Sequence, residues 1–213
     1  MSSVEKMPPQ ETALVVMHVS NMGLTDKLPY TLDSPYLGWL RVVEYIPRAM
    51  RITTEIMPQL LDTTRKAGIT VAHVPSSTDR LNRFPQFEAL NKAAGEEPDI
   101  GPVSPDTSWR GPYHSGMWGD ENDKHRRLGS EHHDIASEVW PEESDVIAAT
   151  SRQLSYAMNE RGIWNLIYVG FALNWCIWFS PCGMTDMSRR GYRCSAVRGA
   201  TTAVEGKHSA REE

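Results

Sequence analysis

The stretch Leu166–Glu205, LIYVGFALNWCIWFSPCGMTDMSRRGYRCSAVRGATTAVE, decides how the chain reads. A β-rich apolar run, Leu166–Val169, meets Gly170 and a tight turn, and a thiol follows at Cys176 where a helix begins. Helix N-termini carry partial positive charge and unpaired N–H groups, so a cysteine there is favoured as thiolate. That is the placement of a nucleophile at the C-terminal edge of a parallel sheet. The plainer alternative is a small buried residue opening a core helix, since free cysteine is among the most buried residue types.

The surrounding pattern predicts the sheet. Residues 12–17 are apolar and β-branched enough for a buried strand. A helix is expected over Pro47–Lys66, with Met50, Ile56, Met57, Leu60 and Leu61 on its apolar face and Pro58 kinking or splitting it. Gly68 stops that helix, and Ile69–Val74 forms the next strand. Strand Asp145–Ala149, helix Ser151–Arg161, strand Ile163–Val169 and a last strand Tyr192–Val197 complete the series. Helix, glycine stop and continuous apolar strand mark βαβ units. The expected fold is three-layer α/β, a mainly parallel sheet with helices on both faces, in one domain over 1–213. Residues 76–140, rich in Pro, Gly, Asp and His, read as a loop-rich lid or insert, and loops of that length are usually functional.

Gly170-Phe171-Ala172-Leu173-Asn174-Trp175-Cys176-Ile177 resembles the G-[VI]-A-T-x-x-C-V nucleophile turn of the isochorismatase-like cysteine hydrolases, which include nicotinamidases and N-carbamoylsarcosine amidases. The likeness continues through Asp186–Tyr192 and Arg198–Ala203. Ala13–Asn21, ALVVMHVSN, is similar to the family's first strand, A-L-[LV]-V-x-D-x-Q-N. The resemblance implies a cysteine nucleophile at Cys176 and an oxyanion hole from the Ala172 and Cys176 N–H groups. It also implies a cis peptide bond between Phe171 and Ala172. The family joins its cysteine to an aspartate ending strand one and a lysine after strand three. Here His18 stands at the aspartate's position, and the lysine's falls near Ala148, Ala149 or Thr150, where no side chain is basic. Members usually continue into a further helix and edge strand. The polar ending Gly206–Glu213 implies that this layer is dispensed with or that a partner subunit covers the face.

Two accounts of the departures stand side by side. Aspartate and lysine together carry no net charge and neither does a neutral histidine, so one imidazole can replace both. His18 then takes the thiol proton and stabilises the thiolate. The expected activity is hydrolysis of an amide-type C–N bond in a small molecule. Alternatively the site is silent, and the protein is a ligand-binding or regulatory relative with His18 as a core histidine. Asn21, Asn174, Trp175, Trp178 and Trp39 are the candidate substrate-binding residues, with Trp109 and Trp118 also in irregular regions that could close over the site. Each tryptophan could equally be core packing, and each asparagine a turn residue.

His114, His125, His132 and His133, with Asp134, crowd the loop-rich segment, but neither H-x-x-x-H nor H-E-x-x-H is present. No metal or other cofactor is expected. Cys182, within a helix after Pro181, and Cys194, in the last strand, read as structural. Net charge of −5 without a basic stripe argues against a nucleic-acid partner. Apolar runs are strand-sized, and the N-terminus has no signal-peptide pattern. Three cysteines do not make a disulfide framework. These features give expectations of a cytoplasmic protein, a small-molecule substrate, no membrane partner and a homo-oligomer.

Overall fold

The computed structural model describes residues 6–27, 45–96 and 131–205. Five parallel strands form one sheet: β1 Thr12–Met17, β2 Thr70–Val74, β3 Val146–Ile147, β4 Asn165–Phe171 and β5 Arg193–Thr202, in the order β3-β2-β1-β4-β5. Every residue of β1 is buried, as a central strand covered on both faces must be. Alternation along it divides the core. Leu14 and Val16 pack with Ile52, Met57 and Leu61 on one face, while Ala13, Val15 and Met17 pack with Leu154, Met158 and Met187 on the other.

Helices connect the strands as the sequence predicts, with instructive departures. The first connection runs as α1 Tyr45–Arg51, a π-helical stretch Ile52–Ile56, and α2 Met57–Lys66. Pro58 lacks an N–H and its ring crowds the carbonyl four residues back. The wider turn placed just before it, with the Met57 N–H donating to the Ile52 carbonyl, carries the helix past the proline without a break. Helix α3, Pro85–Ala94, lies in the segment read as loop-rich. Helix α4, Ser151–Asn159, precedes β4, and α5, Met184–Arg189, precedes β5.

The Cys176 segment differs from its expected form. Strand β4 continues through Gly170 to Phe171, and the helix expected to open near Cys176 starts earlier, as a π-helical turn Leu173–Ile177 that runs on for two α-helical residues. Cys182 is not in a helix. It holds φ 65 in the turn before α5, donating its N–H to Ser151 Oγ at 2.7 Å and accepting from the Tyr168 hydroxyl at 2.8 Å through its carbonyl. Pro181 is therefore a turn residue, because tertiary hydrogen bonds hold the chain out of helical φ there. Cys194 lies in β5 as expected.

Candidate functional site

Strand β1 is the switch point of the sheet. The chain leaves it for β2 and β3 on one side, then returns to β4 on the other, so the connections diverge above the C-terminal ends of β1 and β4. Such crevices are where open parallel sheets bind ligands. The β1–β4 register ends with Met17 opposite Gly170, which places His18 and Phe171 as the next residues at that edge. Gly170 makes the approach possible. A Cβ built on it would lie 2.0 Å from the Met17 carbonyl oxygen, and its φ is +110°. The Phe171–Ala172 peptide bond that follows is cis, as the resemblance implies.

His18 is held in the left-handed region at φ 53 while its N–H donates to the Val74 carbonyl at 2.9 Å, tying the end of β1 to β2. Its ring makes no hydrogen bond among the described residues. It lines a cavity of about 50 Å³ with Ser20, Met22, Met50, Thr53 and Phe171. Burial, and secondarily the nearness of His133, lower its pKa to about 4. The imidazole is thus neutral at neutral pH.

Cys176 sits on the π-helical turn, partly buried against the core face of α4 and α5. The Trp175 and Ile177 N–H groups both donate to the Ala172 carbonyl at 3.1 Å, so the turn wraps around Ala172. Among the described residues, Cys176 does not line the His18 cavity and makes no hydrogen bond to His18. Cys176 is the fourth residue of a helical run of seven, 173–179, so it lies past the first turn and gains little of the helix-terminus field.

At the end of β3, where the family's lysine would stand, a helix cap is found instead. Thr150 Oγ1 accepts from the Gln153 N–H at 3.2 Å, and Gln153 Oε1 accepts from the N–H groups of Ala149 at 2.8 Å and Thr150 at 3.2 Å. This capping box starts α4 directly after the strand, which accounts for the shortened segment. Thr150→Ala should cost about 1 kcal/mol in urea denaturation, with Thr150→Ser close to wild type.

The two asparagines serve as clamps. Asn21 Nδ2 donates to the His132 carbonyl at 2.9 Å and its Oδ1 accepts from the Asp134 N–H at 3.0 Å. Asn174 does the same with one residue, through Val204 O and Val204 N at 3.0 Å each. Each amide pairs with backbone as a peptide group would, so each side chain positions a loop beside the site. Trp175 and Trp178 are 44% and 46% exposed, and Trp178 packs edge-on to Phe179 at 5.9 Å. They stand on the surface around the Cys176 turn rather than in the His18 cavity. Trp39, Trp109, Trp118, His114 and His125 lie outside the described residues.

The structure brings together side chains that sequence reasoning did not assign. Ser76 Oγ lies 3.2 Å from His133 Nε2 just beyond β2. Arg83 pairs both guanidinium nitrogens with Asp134, at 2.8 and 2.5 Å, and stacks on Phe84 and Trp140. The Arg80-x-x-Arg83 spacing next to a strand end was the available signal. Among the described residues no group of three or more His, Cys, Asp or Glu is placed to hold a metal. No described helix is long and apolar enough to cross a membrane.

No family model matches the sequence, and no curated protein matches it. Solved structures do. A cysteine hydrolase from Pseudomonas syringae pv. phaseolicola aligns at TM-score 0.50 and 14% identity, covering 99% of this chain and 82% of that one. An isochorismatase family protein from Burkholderia thailandensis aligns at TM-score 0.51 and 14% identity, covering 99% and 87%. The chain has the α/β fold of the isochorismatase-like cysteine hydrolases.

Proposed function

We propose that the protein is a cysteine hydrolase that cleaves an amide-type C–N bond in a small molecule, with Cys176 as nucleophile and His18 as base. The observation that carries this is the joining of β1 and β4 at Met17 and Gly170. It sets the His18 imidazole, without a hydrogen bond among the described residues, at one cavity with Phe171, and the chain runs from Phe171 through Ala172 into the Cys176 turn. Because burial keeps His18 neutral, a resting thiolate–imidazolium pair is disfavoured. Proton transfer therefore accompanies attack: Cys176 Sγ bonds to the carbonyl carbon as its proton passes to His18, directly or through a water. The Ala172 and Cys176 N–H groups receive the oxyanion. Collapse expels the amine with the proton from His18, and water then cleaves the thioester to release the acid and restore the thiol.

A ligand-binding relative without turnover is the second reading. The observation favouring it is the lack, among the described residues, of a His18–Cys176 hydrogen bond, together with a helix cap at the lysine's position. The test is a panel of small p-nitroanilides with hydroxylamine present to trap the acyl-enzyme. Nitroaniline release with hydroxamate formation in wild type, abolished in Cys176→Ala and sharply reduced in His18→Gln, is the expected result. Equal rates in wild type and Cys176→Ala, or no acyl group on Cys176 in any trapping mass spectrum, would leave the binding reading.

A further inference from the structure

The helical connection after β1 presents one face to His18. Ile46, Ala49, Met50 and Thr53 stand at i, i+3, i+4 and i+7, the spacing that aligns side chains along a helix, and all four line the His18 cavity of about 50 Å³. Met22 and Phe171 add to its apolar wall. Ile46, Ala49 and Phe171 are buried, so the wall is part of the packed interior. The polar part of the lining is small and uncharged. No lysine, arginine, aspartate or glutamate among the described residues lines the cavity, and burial keeps His18 neutral. Thr53 spends its hydroxyl proton on the Ala49 carbonyl at 2.8 Å. The Ser20 hydroxyl, like the His18 ring, makes no hydrogen bond among the described residues. A backbone bridge from Ser20 to Ile135 fixes where that hydroxyl starts.

We infer that this cavity takes a short, uncharged aliphatic amide, its chain against the apolar wall and its amide group at Ser20 and His18. Three features select that chemistry. The first is size. An apolar cavity of about 150 Å³ encloses benzene, whereas a third of that volume, at about 10–15 Å³ for each water-sized site, holds about four non-hydrogen atoms. A two-carbon chain and its carbonyl fit, and an aromatic ring does not. The second is charge. A carboxylate or an ammonium group entering here would lose its hydration and meet no opposite charge. The third is the hydrogen-bonding pattern. A hydroxyl and a neutral imidazole each offer a donor and an acceptor, which matches the carbonyl and N–H groups of an amide. Ser20 is thus the specificity-determining polar residue. Ala49 is the smallest side chain on the helical face, so its size controls how much chain can enter.

As a substrate class this rests on the hydrolase reading, but the ligand class is tested without turnover. Cys176→Ala protein carrying 13C-methyl methionine is titrated with propionamide, and the methyl signals of Met22 and Met50 are followed. Both should shift saturably. Benzamide, too large, and propionate, charged, should each bind at least about tenfold more weakly. Adding Ser20→Ala should weaken propionamide binding about threefold to tenfold, the effect of one hydrogen bond. Adding Ala49→Val should weaken it about tenfold or more by filling the cavity. Should the Ala49→Val chain fail to fold by circular dichroism, Ser20→Ala decides. No shift of either methionine with propionamide, an unchanged affinity in Ser20→Ala, or benzamide or propionate binding as tightly as propionamide would each overturn the inference. Ammonia release from propionamide by wild type separates it from the hydrolase. Selective propionamide binding by a protein that releases no ammonia would remove the hydrolase and spare the ligand class. Faster Cys176-dependent release from benzamide than from propionamide would overturn the ligand class and spare the hydrolase.

Discussion

Gly170→Ala is expected to destabilise the fold by about 4 kcal/mol or more, beyond what most single substitutions do. Two costs combine. The φ of +110° is one that residues with a Cβ rarely adopt. The new methyl would also stand 2.0 Å from the Met17 carbonyl oxygen and 2.9 Å from its carbonyl carbon, both backbone atoms of the central strand. Relief requires β4 to move away from β1, which breaks the register that sets His18 beside Phe171. Gly162→Ala separates the two terms. Gly162 has φ +65° and nothing within 4 Å of a built Cβ, so it should lose only about 1 kcal/mol. Urea denaturation of the two variants reads the difference. A Gly170→Ala chain as stable as Gly162→Ala would mean that β1 and β4 part without cost, and that their junction does not define the site.

That junction was the most legible part of the molecule. Apolar runs of strand length flanked by a glycine and a helix-forming stretch identify βαβ units, and β1 and β4 fall where the pattern puts them. His18 and Cys176 were visible because a strand end and the turn after a strand are positions that a linear sequence marks. Side chains whose partners are distant in sequence were not visible. Asn21 and Asn174 read as polar groups near a site, whereas their partners lie 111 and 113, and 30, residues away. Cys182 looked helical because Pro181 commonly opens helices. What holds it at φ 65 is the Ser151 hydroxyl, 31 residues away. Arg83 and Asp134 meet across 51 residues, inside a segment with no periodicity to align it. The neutrality of His18 was equally hidden, since burial and the approach of His133 are tertiary facts. Sequence reasoning had paired the histidine with the thiol as an imidazolium, and burial argues against that state at rest.

Asp145→Ala is expected to cost about 3–5 kcal/mol, the loss typical when one partner of a buried charge network is removed. The carboxylate, 4% exposed, sits immediately before β3. Its Oδ2 accepts from the Glu142 N–H at 2.9 Å and from Arg65 Nη2 at 2.5 Å, and meets His73 Nε2 at 3.1 Å, while its Oδ1 accepts from Arg65 Nε at 3.3 Å. Burial alone would raise its pKa, but these bonds outweigh burial and hold it down at about 2. Truncation leaves His73, buried in the middle of β2, without its acceptor, and leaves Arg65 with Glu142 at the surface. A fall in Tm of roughly 10 °C follows for a chain of this size. Asp62→Ala, which removes only an exposed i,i+4 contact to Lys66, should change stability by less than about 1 kcal/mol. The pH dependence has two limbs. Asp145 has a depressed folded pKa, so its contribution is present above about pH 4 and is lost as pH falls towards 2. His18 is also depressed, to about 4, but as a base. Below its unfolded pKa of about 6.5 the unfolded chain takes up the proton first, so stability is lost from pH 6.5 down to 4, by about 3 kcal/mol. Burial also holds His73 and His133 below the ordinary histidine value, so His18→Gln should reduce that upper limb without removing it, and Asp145→Ala should lower the whole curve above pH 4 while shrinking its fall below it. Unfolding free energies of wild type, His18→Gln and Asp145→Ala between pH 3 and 8 distinguish the limbs. An upper limb unchanged in His18→Gln would mean that His18 titrates as an exposed imidazole, which would remove the neutral base from the proposed chemistry.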